Sequence, residues 1–175
     1  MADLKVIEVK ESIFKQNDQE ADELRAYLRQ NNVFMINLMS SPGAGKTTLL
    51  TETIRRLKGE MSIGVMEADI DAQVDAERIT ASGARSIQIH TGGLCHMDAS
   101  MTRQGLDAFG IDGLDRVVLE NVGNLVCPAE FDTGATENVM LLSVPEGDDK
   151  PLKYPLIFSV RHSASVSSLA QICGK

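Results

Sequence analysis

Residues 33–50 read VFMINLMSSPGAGKTTLL, and the change of texture along that stretch decides the fold. Residues 33–39 (VFMINLM) form a short, almost unbroken apolar run, the pattern of a strand buried on both faces. Residues 47–58 then place Leu49, Leu50, Ile54 and Leu57 at helical spacing. Between them lies Ser40-Ser41-Pro42-Gly43-Ala44-Gly45-Lys46-Thr47, a glycine-rich strand-to-helix turn. It matches the phosphate-loop pattern G-x-x-x-x-G-K-[ST] except that Ser40 holds the first glycine position. Gly43 and Gly45 let backbone N–H groups turn inward around phosphate oxygens, and the helix N-terminus adds partial positive charge. Lys46 would neutralise the β and γ phosphates, and the Thr47 hydroxyl would ligate magnesium. Gly43, Ala44, Gly45, Lys46, Thr47 and Thr48 are thus the candidate nucleotide-binding residues. The plainer alternative, an ordinary glycine turn, is disfavoured by the strand and helix on either side.

Outward from this stretch the alternation continues. A strand is expected at 62–67, a helix at 74–81 ending near Gly83, and a strand at 86–90. A helix at 98–109 with Asp98 as N-cap and strands at 116–120 and 139–144 complete the pattern. Upstream, residues 18–30 place Leu24, Tyr27 and Leu28 on one helical face. Gly59 occupies the position of a helix C-cap. Strands alternating with helices of about 10 residues imply an α/β fold: a phosphate-loop NTPase whose mostly parallel sheet is flanked by helices in three layers. Ligands bind such sheets beyond the carboxyl ends of the strands. That focuses attention on segments 40–46, 91–97 and 121–132.

Composition sets the outer bounds. The chain has 175 residues, 25 acidic against 17 basic, for a net charge of −8. One domain is expected. The acidic balance argues against a general binder of nucleic acid or anionic membrane, while leaving room for one local phosphate site. No apolar run is long enough to span a bilayer, and MADLKVIEVKESIF lacks the features of a secretory signal. Three cysteines, an odd number, make no disulfide framework. A reducing, cytoplasmic setting is expected.

A nucleotide hydrolase also needs a carboxylate near the metal and a sensor of the γ-phosphate. Glu120 ends the strand RVVLE and is followed by Asn121-Val122-Gly123. It can hold the magnesium shell through water, and Gly123 can offer its N–H to the γ-phosphate. The competing reading of Glu120 is a solvated strand end. Asp69, Asp71 and Asp75 follow the second strand, and one of them could reach magnesium or orient the attacking water. Asp71 could equally cap the next helix and Asp75 be a solvated side chain. The candidate catalytic residues are Lys46, Glu120, Asp69 and Asp71.

A second constellation is Cys95 and His96 in TGGLCHMDAS with Cys127 in ENVGNLVCP, on the loops after the third and fourth strands. Adjacent strand ends would bring these loops together. Two thiolates and an imidazole suit zinc and also nickel. Three ligands leave the coordination unfinished, and a two-fold dimer could complete it. Against this, free cysteine is commonly a buried small hydrophobe, and the pair lacks C-x-x-C spacing. Cys127 follows Gly123 by four residues, so nucleotide state could alter metal affinity through this loop. For Cys173, His90 and His162, core or surface roles are expected.

SSPGAGKTTLL, DAERI, GGLCHMDA, ENVGNLVCPAEFD and EGDDKPLKYP together resemble the HypB family, the nickel-incorporation GTPases of hydrogenase maturation. The resemblance runs from about residue 33 to 155. It implies a GTPase that uses GTP and magnesium and delivers nickel to a nickel–iron hydrogenase large-subunit precursor with a small nickel metallochaperone. It also implies a nucleotide-linked homodimer with metal at the subunit interface. It assigns Lys46 and Thr47 to phosphate and magnesium, Glu120 and Gly123 to the γ-phosphate motif, and Cys95, His96 and Cys127 to nickel or zinc. Asp69, Asp71 and Asp75 become switch-region candidates. The expected organisation is an N-terminal segment with a helix (1–32), a GTPase domain (33–158) and a tail (159–175).

Three departures stand out. Ser40 replaces a glycine, which is tolerable if its backbone is not left-handed. The N-terminal Cys- or His-rich nickel store of some relatives is absent from the sequence. After KYP the chain reads PLIFSVRHSASVSSLAQICGK, without the Asn-Lys-x-Asp motif that would read guanine. That ending is read as a truncation or shifted frame, the alternative being a divergent C-terminal strand and short tail. Without that motif base discrimination would weaken, and a sheet edge could be exposed. Two other readings follow: a non-catalytic metal-binding module, and a urease-type nickel-delivery GTPase, whose Cys-x-His motif the adjacent Cys95-His96 pair does not match.

Overall fold

A computed structural model describes residues 9–69, 79–159 and 162–167. Helix α1 (Val9–Gln30) precedes strand β1 (Phe34–Ser40), and the phosphate-loop segment leads into α2 (Lys46–Leu57). Then come β2 (Ile63–Asp69), β3 (Arg85–His90), α3 (Ala99–Phe109), β4 (Arg116–Glu120), α4 (Cys127–Glu130) and β5 (Glu137–Ser143). A 3-10 turn, two short helices α5 (Lys150–Lys153) and α6 (Pro155–Ser159), and β6 (His162–Ser167) follow. The six strands form one sheet in the order β3-β2-β4-β1-β5-β6, with every pairing parallel. The expected α/β fold is the observed one.

Period-two alternation divides the strand residues between two faces. Met35, Met66, Val117 and Leu119 join Leu24 and Leu28 of α1 and Leu106 and Phe109 of α3 in one core. Leu38, Val65, Val118 and Leu141 join Leu50 and Ile54 of α2 in the other. The sheet is therefore covered on both sides, which explains why its strands read as continuous apolar runs.

Several boundaries differ from the sequence expectations, each for a local reason. Helix α1 begins at Val9 rather than at residue 18, because its first turns carry Phe14 and Asn17, which find tertiary partners. Helix α2 closes on Lys58, whose right-handed backbone (φ −58°) donates its N–H to Ile54 O. Gly59 is not among the residues of positive φ, so no left-handed glycine cap forms there. Strand β5 stops at Ser143 because Ser143 and Glu146 exchange the two bonds of a capping box around the proline-containing turn that follows. Asp98 caps α3 as expected, its side chain accepting from Met101 N–H at 2.8 Å. Of the helix expected at 74–81, residues 79–82 are helical and Gly83 follows at φ +101°; residues 74–78 lie outside the described residues. In the tail, β6 pairs with β5 from Asn138↔His162 to Ser143↔Ser167, so β6 rather than β5 is the outer strand of the sheet on that side.

A polar seam crosses this core. Asn121 donates to Asn37 Oδ1 at 3.0 Å, and Asn37 donates to Asn138 Oδ1 at 2.7 Å, linking the segment after β4 to β1 and β5. Asn37 and Asn121 are each only 1% exposed. Asn37→Ala removes the acceptor of the buried Asn121 amide and is expected to cost about 1–3 kcal/mol, read as a lower denaturation midpoint with unchanged slope in urea.

Candidate functional site

The three segments singled out by sequence do leave the carboxyl ends of strands. Gly45 takes φ +93° and Gly43 φ +75°, the left-handed geometry that lets the loop curl under the first turn of α2. Ser40 ends β1 and is absent from the positive-φ residues, so the missing first glycine imposes no strain. The buried Lys46 ammonium donates to Ser40 Oγ at 2.9 Å, and Ser40 Oγ donates to Ser41 O at 2.7 Å. Ser41 Oγ is buried in the same loop without a hydrogen-bond partner. A charged lysine, an orphaned hydroxyl and the N–H groups of a helix start make a donor-rich cradle, which fits the oxygens of a phosphate chain.

Glu120 reaches the cradle. Thr47 Oγ1 donates to Glu120 Oε1 at 3.0 Å, joining the start of α2 to the end of β4. A hydroxyl and a carboxylate in contact are a donor set suited to a hard cation such as magnesium. Gly123 lies against the loop: a Cβ there would come within 3.1 Å of Pro42 Cα and 3.2 Å of Pro42 N. Asn121 fixes the start of the same segment, donating its N–H to Leu38 O at 3.0 Å and accepting Val122 N–H at 2.8 Å. Of the aspartates, Asp69 is the last residue of β2, with its side chain undescribed, and Asp71 and Asp75 lie outside the described residues. Sequence reasoning passed over Glu67. It is 5% exposed on β2 and in register with Glu120 on β4. A carboxylate inside an apolar strand next to the phosphate-loop rim was the available signal.

The second constellation also assembles. The ligand atoms of Cys95, His96 and Cys127 lie within 4.8 Å of one another. The Cys95 and Cys127 sulfurs are 2.6 Å apart, and Cys95 Sγ is 4.0 Å from His96 Nδ1. The stated reason for their meeting needs correction: β3 and β4 are not neighbours, since β2 lies between them. The loops nonetheless bring their side chains together across the width of that intervening strand. Thr91 helps turn the first loop, its hydroxyl donating to Leu94 O at 2.7 Å. Asn124 accepts Val126 N–H at 2.8 Å just before Cys127. Burial pushes the His96 imidazole below its ordinary value, against the opposing pull of Asp98 and Glu130. The hydrogen bond with Cys95, together with burial, pushes the Cys127 thiol up. A metal here would meet a neutral imidazole and would displace a thiol proton. Among the described residues this is the group of His, Cys, Asp and Glu side chains able to hold a metal ion. No described helix is long and apolar enough to cross a membrane.

Comparison with known proteins agrees with this geometry. Residues 34–143 match the sequence profile described as CobW/HypB/UreG, nucleotide-binding domain. The chain is 46% identical over 159 residues to the hydrogenase maturation factor HypB of Rhizobium leguminosarum bv. viciae, covering 91% of this chain and 53% of that protein. It is 46% identical over 167 residues to the hydrogenase/urease maturation factor HypB of Helicobacter hepaticus, covering 93% of this chain and 68% of that protein. The chain thus spans about half to two thirds of these curated relatives. The crystal structure of HypB from Helicobacter pylori in complex with nickel superposes with a TM-score of 0.77 at 41% identity, over 82% of this chain and 67% of that one.

Proposed function

The chain belongs to the CobW/HypB/UreG nucleotide-binding family, and on that premise we propose that it hydrolyses GTP and couples nucleotide state to nickel delivery for nickel–iron hydrogenase maturation. One observation carries the proposal: the single loop 121–132 borders both sites. Gly123 packs on Pro42 of the phosphate loop, and Cys127, four residues later, meets Cys95 and His96. A shift of Gly123 on loss of the γ-phosphate would reach the thiolate through a few backbone bonds.

In the reaction, a water oxygen attacks the γ-phosphorus in line while the bond to the β–γ bridging oxygen breaks. Lys46 leaves Ser40 to neutralise the phosphate oxygens, and the backbone N–H groups of the loop hold the chain of phosphates in place. Thr47 and Glu120 are the residues that would hold magnesium, which offsets charge on the β and γ oxygens when bound. Gly123, with no side chain in the way, would offer its N–H to the γ-phosphate. Hydrolysis resets the loop and releases the cargo ion. Nickel is the cargo favoured by the family, and zinc suits the same donors.

The acting form is a homodimer. Leu94 and Val126, beside Cys95 and Cys127, are 49% and 50% exposed. Burying them against a second copy would remove apolar surface from water and supply the ligands that three donors leave missing. A small nickel metallochaperone and the hydrogenase large-subunit precursor are the partners, in the cytoplasm.

The test is a titration of the purified chain with labelled GTP, labelled ATP and nickel. Binding of both GTP and nickel, with GTP preferred to ATP, is expected. Nickel binding with neither nucleotide bound would leave a non-catalytic metal module and defeat the GTPase. Rescue of urease instead of hydrogenase in deficient cells would favour the urease-type alternative.

A further inference from the structure

Helix α1 holds both ligand-bearing loops through one buried side chain. Asn17, 7% exposed, donates Nδ2–H to Asp132 O at 3.0 Å and accepts Ala99 N–H on Oδ1 at 3.0 Å. Ala99 is three residues beyond His96, and Asp132 is five beyond Cys127. A single amide therefore fixes the separation of two segments that are remote in sequence. The same helix grips the second loop further along. Arg25 pairs with the Asp132 carboxylate, and its Nε–H donates to Ala135 O at 3.0 Å.

The aromatic contacts run to the ligand itself. The His96 ring stacks on Phe131 with centroids 3.9 Å apart and planes 12° apart. Phe131 in turn meets Phe14 of α1 at 5.0 Å and 38°. An imidazole binds metal through lone pairs in the plane of its ring. A neighbour on the ring face therefore fixes the orientation of that plane without occupying either nitrogen. Residues that orient a ligand from outside are usually hydrogen-bonding groups; here a phenyl face does that work.

We infer that Phe131, backed by Phe14, and Asn17 are positioning residues of the metal site, so that helix α1 sets the affinity of Cys95, His96 and Cys127 for their ion. This rests on the metal-binding reading above. With the stack and the amide in place, the three donors converge before the ion arrives, and less ordering is left for binding to drive. Without them, His96 rotates freely about its side-chain bonds and the two loops drift apart.

The experiment compares the full chain with Phe131→Leu, Phe131→Tyr, Phe14→Leu and Asn17→Asp. Nickel and zinc affinity are measured by competition with a chromophoric chelator, together with the thiolate-to-nickel absorption band and the affinity for GTP in the absence of metal. Phe131→Leu is expected to weaken nickel and zinc binding about ten- to a hundredfold. Phe131→Tyr restores it to within about twofold of the parent, while GTP affinity stays level throughout. Phe14→Leu, on a half-buried helix position that tolerates the change, is expected to give a smaller loss in the same direction. Asn17→Asp keeps the acceptor for Ala99 N–H but loses the donor to Asp132 O, and is expected to fall between the two. The inference is overturned if Phe131→Leu binds metal within twofold of the parent while His96→Ala does not. It is overturned equally if GTP affinity falls in parallel with metal affinity, since the residues would then support the whole fold. A parent chain that binds neither metal removes the metal reading and this inference together; a parent that binds, matched by its variants, removes the inference alone.

Discussion

Lys46→Ala is expected to lower phosphate release about 10²–10³-fold at saturating GTP and magnesium, the loss typical of removing one preorganised charge-stabilising donor. The ammonium is buried at the rim of β1, α2 and the loop between them, 2.9 Å from Ser40 Oγ. A buried cation held by a hydroxyl at the start of a helix has its strongest purpose in meeting anionic oxygen. The fold should survive the change. Ser40 Oγ keeps its bond to Ser41 O, and the first turn of α2 is held by Leu49 N–H donating to Gly45 O at 2.9 Å. Loss of activity with an unaltered melting temperature would therefore report on the phosphates. Phosphate release equal to that of the parent would remove hydrolysis from this site.

Cys127→Ala carries the second large effect. Three donors within 4.8 Å of one another become two, and nickel or zinc affinity is expected to fall at least about 10²-fold, beyond what disturbing a supporting residue costs. GTP affinity without metal should stay within about twofold, because the thiol of Cys127 meets Cys95 rather than the phosphate loop. In the parent, adding a non-hydrolysable GTP analogue should shift nickel affinity, and nickel should shift the affinity for the analogue by the same factor, as linkage requires. In Cys127→Ala that mutual shift should vanish. Metal affinity that survives the substitution would assign the ion to other residues. A parent in which neither ligand alters the affinity of the other would break the proposed coupling while leaving both sites standing.

What could be read in advance was what local sequence dictates. The apolar run, paired glycines and Lys46-Thr47 announce a strand, a cradle and a helix within a few residues of one another. Asp98 announced its own cap because an N-cap needs only its neighbours. The clustering of Cys95, His96 and Cys127 was legible from residue type and position after strands, although the strands they follow are not neighbours but are separated by β2. Pairing order is set by long-range packing, which leaves no local trace. The same holds for the early start of α1, since Phe14 and Asn17 owe their order to residues more than 80 positions away. Glu67 was hidden for a different reason: a single carboxylate in SIGVME looks like a strand end until its register against Glu120 is known. The three asparagines of the polar seam sit in segments that read as ordinary strand and loop. Only the sheet reveals that Asn37 and Asn138 are in register and that Asn121, just past the end of β4, reaches Asn37.

The strand order gives the cargo a mechanical meaning. Cys95 and His96 follow β3 and Cys127 follows β4, with β2 between those strands. An ion held by all three would act as a clasp across the sheet rim, tying together the segments that follow two strands not paired with each other. Seizing the ion tightens the rim and surrendering it slackens the rim. The loaded protein should then resist heat better than the empty one by the free energy of binding at the prevailing ion concentration. Melting temperature becomes a gauge of how much of the protein is carrying its load.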